Sequence, residues 1–209
     1  LCMGKKGDAV VFASESCALD AMGAEFVRDV EPGELICVDE KHGITSYRAN
    51  CGSKTSLCMY EYVYFARPDS ILDGNEVYSF RQRAGELLAK ACPADADIVC
   101  AVPDGGTNFA QGYASASGLP LRVGVMKNKF SSRNLFSRDE EGRARAINLK
   151  YNVLRPTVNG KRVVLVDDSL MKGNTARHLI SMLKKAGAKE VHLRVGSPRI
   201  LHYCLYGVQ

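Results

Sequence analysis

The strongest hydrophobic pattern in the chain is the uninterrupted run Val163-Val164-Leu165-Val166. No polar residue alternates with it, so it reads as a strand buried on both faces of a parallel sheet. A helix-forming run from Ala176 to Ala186 follows and is stopped by Gly187. Further upstream, Asp97 to Val102 has the same buried-strand character. It leads through the loop Pro103–Thr107 into a short helix, Asn108 to Ser117, that ends at Gly118. Arg122 to Met126 and Glu190 to Gly196 read as further strands. Asn75 is placed to cap a helix from Glu76 to Ala91 with Val77, Phe80, Ala84, Leu87 and Leu88 on one face. This alternation of strands and helices predicts an α/β fold with a parallel sheet and covering helices.

The first fifty residues are patterned differently and read as β-rich. Val10–Phe12 is a short strand, and Ser14 or Ser16 is placed to cap the turn Cys17–Met22. Leu35–Val38 and Ile44–Arg48 flank Glu40-Lys41-His42-Gly43 as a hairpin would. Met59 to Phe65 alternates aromatic and non-aromatic residues and predicts a strand, broken by Arg67-Pro68-Asp69-Ser70. Lys127 to about Asn148 has no sustained apolar period. A loop of that length inside a compact domain is usually functional.

With 209 residues and 46% hydrophobic content, the chain is long enough for one good core and part of a second. A net charge of +5 is modest, and the Lys and Arg residues are scattered or sit in one loop, so no nucleic-acid partner is expected. No membrane-length apolar run or signal peptide is visible. The eight cysteines form no C-x-x-C and no regular framework, which predicts a reduced, cytoplasmic setting. Leu1 is not a start methionine, so the chain reads as a fragment.

The chemistry gathers behind the Val163 strand. Asp167 and Asp168 stand at its end, and Ser169, Lys172, Gly173, Asn174 and Thr175 fill the loop before the next helix. Ligands of open α/β sheets bind at the carboxyl ends of strands, and a helix N-terminus favours a phosphate. Two acids beside an anion repel it unless they hold something else, such as sugar hydroxyls or a divalent cation. A phosphorylated ribose satisfies both halves. The Walker spacing is absent.

Val163 to Thr175 resembles the phosphoribosyl pyrophosphate (PRPP) signature of type I phosphoribosyltransferases. The segment Cys58-Met59-Tyr60-Glu61-Tyr62-Val63-Tyr64-Phe65-Ala66-Arg67-Pro68-Asp69-Ser70 narrows the resemblance to the glutamine PRPP amidotransferases, which make phosphoribosylamine for purine synthesis. The resemblance implies a type I phosphoribosyltransferase sheet with helices on both faces over residues 51–209. Before it would stand a β-rich remnant of an N-terminal-nucleophile glutaminase domain over residues 1–50. The words Ala13 to Asp20 and Phe26 to Glu34 resemble the end of that glutaminase domain. Its nucleophile would precede this chain, and Cys2 is not it.

The resemblance further implies PRPP on Asp167, Asp168, Ser169, Lys172, Gly173, Asn174 and Thr175, with Mg2+ at Asp167 and Asp168. Lys127 and Arg133 would meet the pyrophosphate from the flexible loop. Glutamine-derived ammonia would be the acceptor, and the enzyme would be a homo-oligomer. Some members carry a [4Fe-4S] cluster, and Cys58 and Cys204 match two of its four cysteines, with the other pair expected beyond Gln209.

The sequence departs from the family where Gly105 replaces a hydroxyl residue, Lys172 an arginine and Asn174 a threonine, and at Arg133-Asn134-Leu135-Phe136. Lysine keeps the charge but loses the bidentate fork. These departures leave open a PRPP-binding paralogue without catalysis; a type I phosphoribosyltransferase with a nucleobase acceptor is the other alternative, disfavoured by the Cys58–Ser70 segment and the hydrolase-like first fifty residues.

Overall fold

The computed structural model describes residues 1–49, 52, 56–130, 149–202 and 204. The chain divides into two compact units, Leu1–Phe80 and Arg81–Gln209.

In the first unit, β1 (Cys2–Lys6) lies between β2 (Ala9–Ala13) and β3 (Glu25–Asp29) in an antiparallel sheet, with α1 (Ser16–Met22) packed on it. Cys2, Leu19 and Ala24 form its small core. β4 (Leu35–Asp39) and β5 (Gly43–Tyr47) make the expected hairpin. Ser16 does not cap α1 as expected. Its hydroxyl accepts from the Ile71 N–H at 2.8 Å instead. Beside it, the Glu15 carboxylate accepts from the Arg67 N–H at 2.8 Å and the buried Ser70 hydroxyl at 2.7 Å, so the start of α1 fixes the turn at 67–70.

The strand predicted over Met59–Phe65 is not formed. Residues Glu61–Phe65 are a π-helical turn, with Tyr62, Val63 and Ala66 buried and Tyr64 and Phe65 exposed. The aromatic alternation misled because the rings stack along the helix surface. The Tyr60 and Phe65 centroids are 6.0 Å apart at five-residue spacing, which suits a π turn. Next, β6 (Ile71–Leu72) pairs with β7 (Asn75–Glu76), so Asn75 belongs to a ribbon and is not a helix cap.

The helix α2 (Val77–Ala91) also turns a different face inward from the one predicted. Phe80 and Leu87 are exposed, and the buried stripe is Val77, Arg81, Gly85 and Ala89. Gly85 stands on that face because α2 passes α3 (Thr107–Ser117) at backbone distance. A β-carbon on Gly85 would lie 2.1 Å from the Phe109 carbonyl oxygen, and one on Gly112 would lie 1.9 Å from that of Gln82.

The second unit is built on a parallel sheet in the order β12 (Glu190–Val195), β11 (Arg162–Asp167), β8 (Ile98–Ala101). Leu121 adds one parallel bridge to Val99 on the far side of β8. The residues of β11 alternate between two buried layers. Val163 and Leu165 join Leu179 and Leu183 of α5 (Asn174–Lys185), together with Ile98, Cys100 and Val158 of α4 (Arg155–Val158). On the other face Val164 and Val166 are equally buried, where α3 packs with Phe109, Ala110 and Tyr113. Burial on both sides is the reason the run carries no polar alternation.

β9 (Val125–Lys127) is shorter than expected and pairs antiparallel with β10 (Tyr151–Val153), a strand that the charged surroundings concealed. Most of the loop from Lys127 to Asn148, including Arg133, lies outside the described residues.

The N-terminal end of β11 is fixed by charge. The Asp97 carboxylate accepts from the Arg162 N–H at 2.8 Å and from its guanidinium at 2.9 Å. The guanidinium first, and the N–H second, hold the Asp97 carboxyl down to about 2. A depressed carboxyl contributes stability above its unfolded value of about 3.9, and that contribution is lost as pH falls through the folded value. Asp97→Asn should therefore melt below wild type at pH 7, with the gap closing between about pH 4 and pH 2. Thermal melts across that range check this, and a gap unchanged at pH 2 contradicts it.

Candidate functional site

The chain leaves β8 toward Leu121 on one side, and β11 pairs on the other side, so the sheet reverses its winding between β8 and β11. The carboxyl ends of these two strands flank the crevice where open α/β sheets bind ligands. Residues 103–106 follow β8 there, and Asp167 and Asp168 close β11 there. Two backbone bonds hold the ends in place, the Val102 N–H to the Val166 carbonyl at 2.8 Å and the Gly106 N–H to the Val102 carbonyl at 3.0 Å. The peptide between Pro103 and Asp104 is cis.

Gly106 is required by this contact. A β-carbon on it would stand 2.3 Å from the Val166 carbonyl oxygen and 3.0 Å from the Asp167 Cα, atoms of backbone that cannot swing aside. The loop lies directly against the end of β11 because this side chain is missing.

The two acids are held differently. Asp167 Oδ1 accepts from the Asp168 N–H at 2.9 Å, and Asp168 Oδ1 accepts from the Ser169 hydroxyl at 2.7 Å. The carbonyls of both residues accept from the Gly196 and Ser197 N–H groups after β12, at 2.9 and 2.7 Å. Burial, then the neighbouring Asp168 charge, pushes the Asp167 carboxyl up to about 7. Burial also raises Asp168, whose residue is 7% exposed, while the Ser169 hydrogen bonds and the Arg81 charge pull it back. Adjacent carboxylates taken out of water repel each other, and a bound cation or a set of hydroxyl donors relieves that cost.

Beyond the acids, Ser169 to Gly173 form the loop into α5. Gly173 has φ +73°, a left-handed conformation that suits glycine, and no side chain caps the helix. The first N–H groups of α5 are thus open to an anion, with the exposed Lys172, Asn174 and Thr175 around them. Lys127, at the end of β9, forms an ion pair with Asp104 of the 103–106 loop. Its strand partner is Tyr151, which is 5% exposed. The Tyr151 hydroxyl is pushed up to about 12 by burial and then by the Asp167 charge.

All the expected residues from Asp167 to Thr175 therefore gather at one strand end, and Lys127 joins the facing loop. Three further residues belong to the site's surroundings. Asp104 is the ion-pair partner of Lys127, Tyr151 is a buried residue on whose hydroxyl the Asp167 charge acts, and Arg81 is a buried cation whose charge acts on Asp168. Asp104 stood inside the strand-to-helix loop in the sequence; Tyr151 and Arg81 carried no local signal.

A divalent cation fits this donor set as a shared ligand. Magnesium commonly takes one or two carboxylates and completes its shell with water and substrate oxygens. Cys58 and Cys204, the two cysteines expected to serve a cluster, are both exposed, and the described residues hold no group of three or more metal-ligating side chains. No helix of the described residues is long and apolar enough to cross a membrane.

The phosphoribosyl transferase domain family matches residues 73–195, more than half of the chain. The amidophosphoribosyltransferase of Archaeoglobus fulgidus is 46% identical over 208 residues, which is all of this chain and 45% of that protein. Among solved structures, the glutamine PRPP amidotransferase of Bacillus subtilis complexed with ADP and GMP has a TM-score of 0.90 and 43% identity. It covers 99% of this chain, which in turn spans 45% of it. The structure of an allosteric regulatory enzyme of purine biosynthesis has the same TM-score and identity, and 44% of that chain is covered. The chain thus spans somewhat under half the length of these relatives.

Gly106→Ala should cost about 1–3 kcal/mol, the scale of forcing an extra methyl into a packed contact. The loop must then part from the end of β11. Urea unfolding measures this, and a variant as stable as wild type would contradict the close approach.

Proposed function

We propose, from the premise that this chain belongs to the phosphoribosyl transferase domain family, that it is the PRPP-using part of an amidophosphoribosyltransferase. Residues 1–50 are then the end of a glutaminase domain and the rest the phosphoribosyltransferase domain. The observation that carries the reading is the acid pair at the winding reversal of the sheet, with an uncapped helix N-terminus on one side and a glycine loop on the other.

PRPP lies with its 5-phosphate on Ser169 to Thr175, where N–H groups, hydroxyls and Lys172 meet the anion. Its ribose diol faces Asp167 and Asp168. The pyrophosphate extends toward the 103–106 loop and Lys127, and Arg133 is assigned to the same group. Asp167 and Asp168 would hold a magnesium ion, which would supply positive charge against the pyrophosphate.

The reaction is displacement at ribose C1. The bond from C1 to the pyrophosphate oxygen breaks, a bond from C1 to ammonia nitrogen forms, and the nitrogen then loses a proton. Charge builds up on the departing pyrophosphate while C1 becomes electron-poor, so the chain's contribution is positioning and electrostatic stabilisation. Lys127 acts on the leaving group, and the acids fix the ring. Ammonia arises from glutamine in the whole enzyme. The free cysteines support a cytoplasmic setting. A [4Fe-4S] cluster would take two of its thiolates from Cys58 and Cys204 and two from outside this chain.

Asp168→Asn should weaken PRPP binding in the presence of magnesium by about 1–3 kcal/mol, the scale of hydrogen bonds to a charged group. Calorimetric titration of the full-length protein measures it. Pyrophosphate release with ammonia, and none with free nucleobases, is the expected acceptor profile. Release with a nucleobase instead would replace the acceptor, and PRPP binding without release would make the protein a PRPP-binding paralogue.

A further inference from the structure

Gly105 and Gly106 lack side chains for different physical reasons. Gly106 meets backbone on every side, as described above. At Gly105 the three atoms nearest a β-carbon would all belong to Asp168, at 1.6 Å from Oδ2, 2.8 Å from Cγ and 3.4 Å from Cβ. Its backbone is not left-handed, so conformation does not demand glycine there. The space left by the missing side chain is filled by one carboxylate.

The other oxygen of that carboxylate is also committed. Asp168 Oδ1 accepts the Ser169 hydroxyl at 2.7 Å, and the residue is 7% exposed. In this position Oδ2 occupies the space that a side chain at residue 105 would take, and Oδ1 is engaged by Ser169. Asp167, by contrast, is only partly buried, and its Oδ1 accepts from the Asp168 N–H.

We propose that Gly105 is a slot that stores the Asp168 carboxylate in a withdrawn position, and that ligand binding requires the carboxylate to leave it. The inference rests on the reading of the acid pair as the ribose-diol and magnesium site, and it adds a gate to that site. Withdrawn and presented carboxylates are two states of one side chain. A ligand that engages only the presented state binds with an affinity reduced by the fraction of molecules in that state. Any β-carbon at position 105 removes the withdrawn state and with it the reduction. The expected sign is therefore unusual for a glycine beside a ligand site, because enlarging Gly105 should tighten binding.

The test compares full-length wild type with Gly105→Ala, by calorimetric titration with PRPP at saturating magnesium and by crystal structures without ligand. The variant should bind PRPP about threefold to tenfold more tightly. Its ligand-free structure should show the Asp168 carboxylate turned away from residue 105. In an Asp168→Ala background the same substitution should change affinity by less than about twofold, since no carboxylate remains to be displaced. Wild type alone offers a second measurement, because its carboxylate should leave the slot when PRPP is bound. Equal or weaker binding by Gly105→Ala overturns the gate, as does an Asp168 carboxylate that stays against residue 105 in the bound wild type. If neither protein binds PRPP while the variant carboxylate is displaced, the slot stands and the PRPP reading of the site falls.

Discussion

Two adjacent carboxylates sit at the end of a strand that is buried on both faces, and most of the second unit is arranged around keeping them there. Charge is tolerable at that point only because the strand ends there. One residue earlier, Val166 is sealed between the two layers, and one residue later the chain turns out toward α5. The acids are thus at the boundary between the sheet's apolar interior and a crevice, where their charge is costly enough to demand a ligand and exposed enough to receive one. The Gly196 and Ser197 N–H groups hold the two acid residues' backbone carbonyls, so their main chain is fixed by the segment that follows β12.

Close backbone approach supplies the rest of the rigidity. Gly85 and Gly112 let α2 and α3 cross in contact, which fixes α3 on β8 and β11. Gly106, at the entry to α3, then brings the 103–106 loop onto the end of β11. The same helix therefore sets both the depth of the core and the width of the crevice. A site assembled this way owes its precision to missing side chains, and its tolerance to substitution is lowest where no polar group is involved.

The sequence was most legible where burial is symmetrical. Val163–Val166, the helix before Gly187 and the helix before Gly118 needed only the rule that doubly buried strands lose alternation and that glycine ends helices. The acid pair and its loop were legible because strand-end chemistry follows from chain order. Legibility failed where a side chain's partners lie far off in sequence. The inward face of α2 is set by α3, so its larger apolar residues Phe80 and Leu87 misled. The π turn at 61–65 buries residues at helical spacing although its aromatics alternate, and β10 exists because β9 offers it a partner. Tyr151 and Arg81 reach the acids through that same long-range packing, and nothing adjacent to them in the chain announces it.

The acid pair also places function and folding in opposition. Burial raises both carboxyls, and the Asp168 charge adds to the rise at Asp167, so in the ligand-free state the folded chain holds their protons more tightly than the unfolded chain does. As pH rises from about 4 through about 7, the folded state therefore loses stability on Asp167's account, and the raised Asp168 acts in the same direction. A ligand that meets these charges returns that stability as binding, because anything bound only by the folded state stabilises it. The raised carboxyls, the close glycine loop and the uncapped helix are separately unfavourable or neutral for folding. A ligand proposed for this site therefore has to meet all three at once, the acids, the glycine loop and the open helix N-terminus.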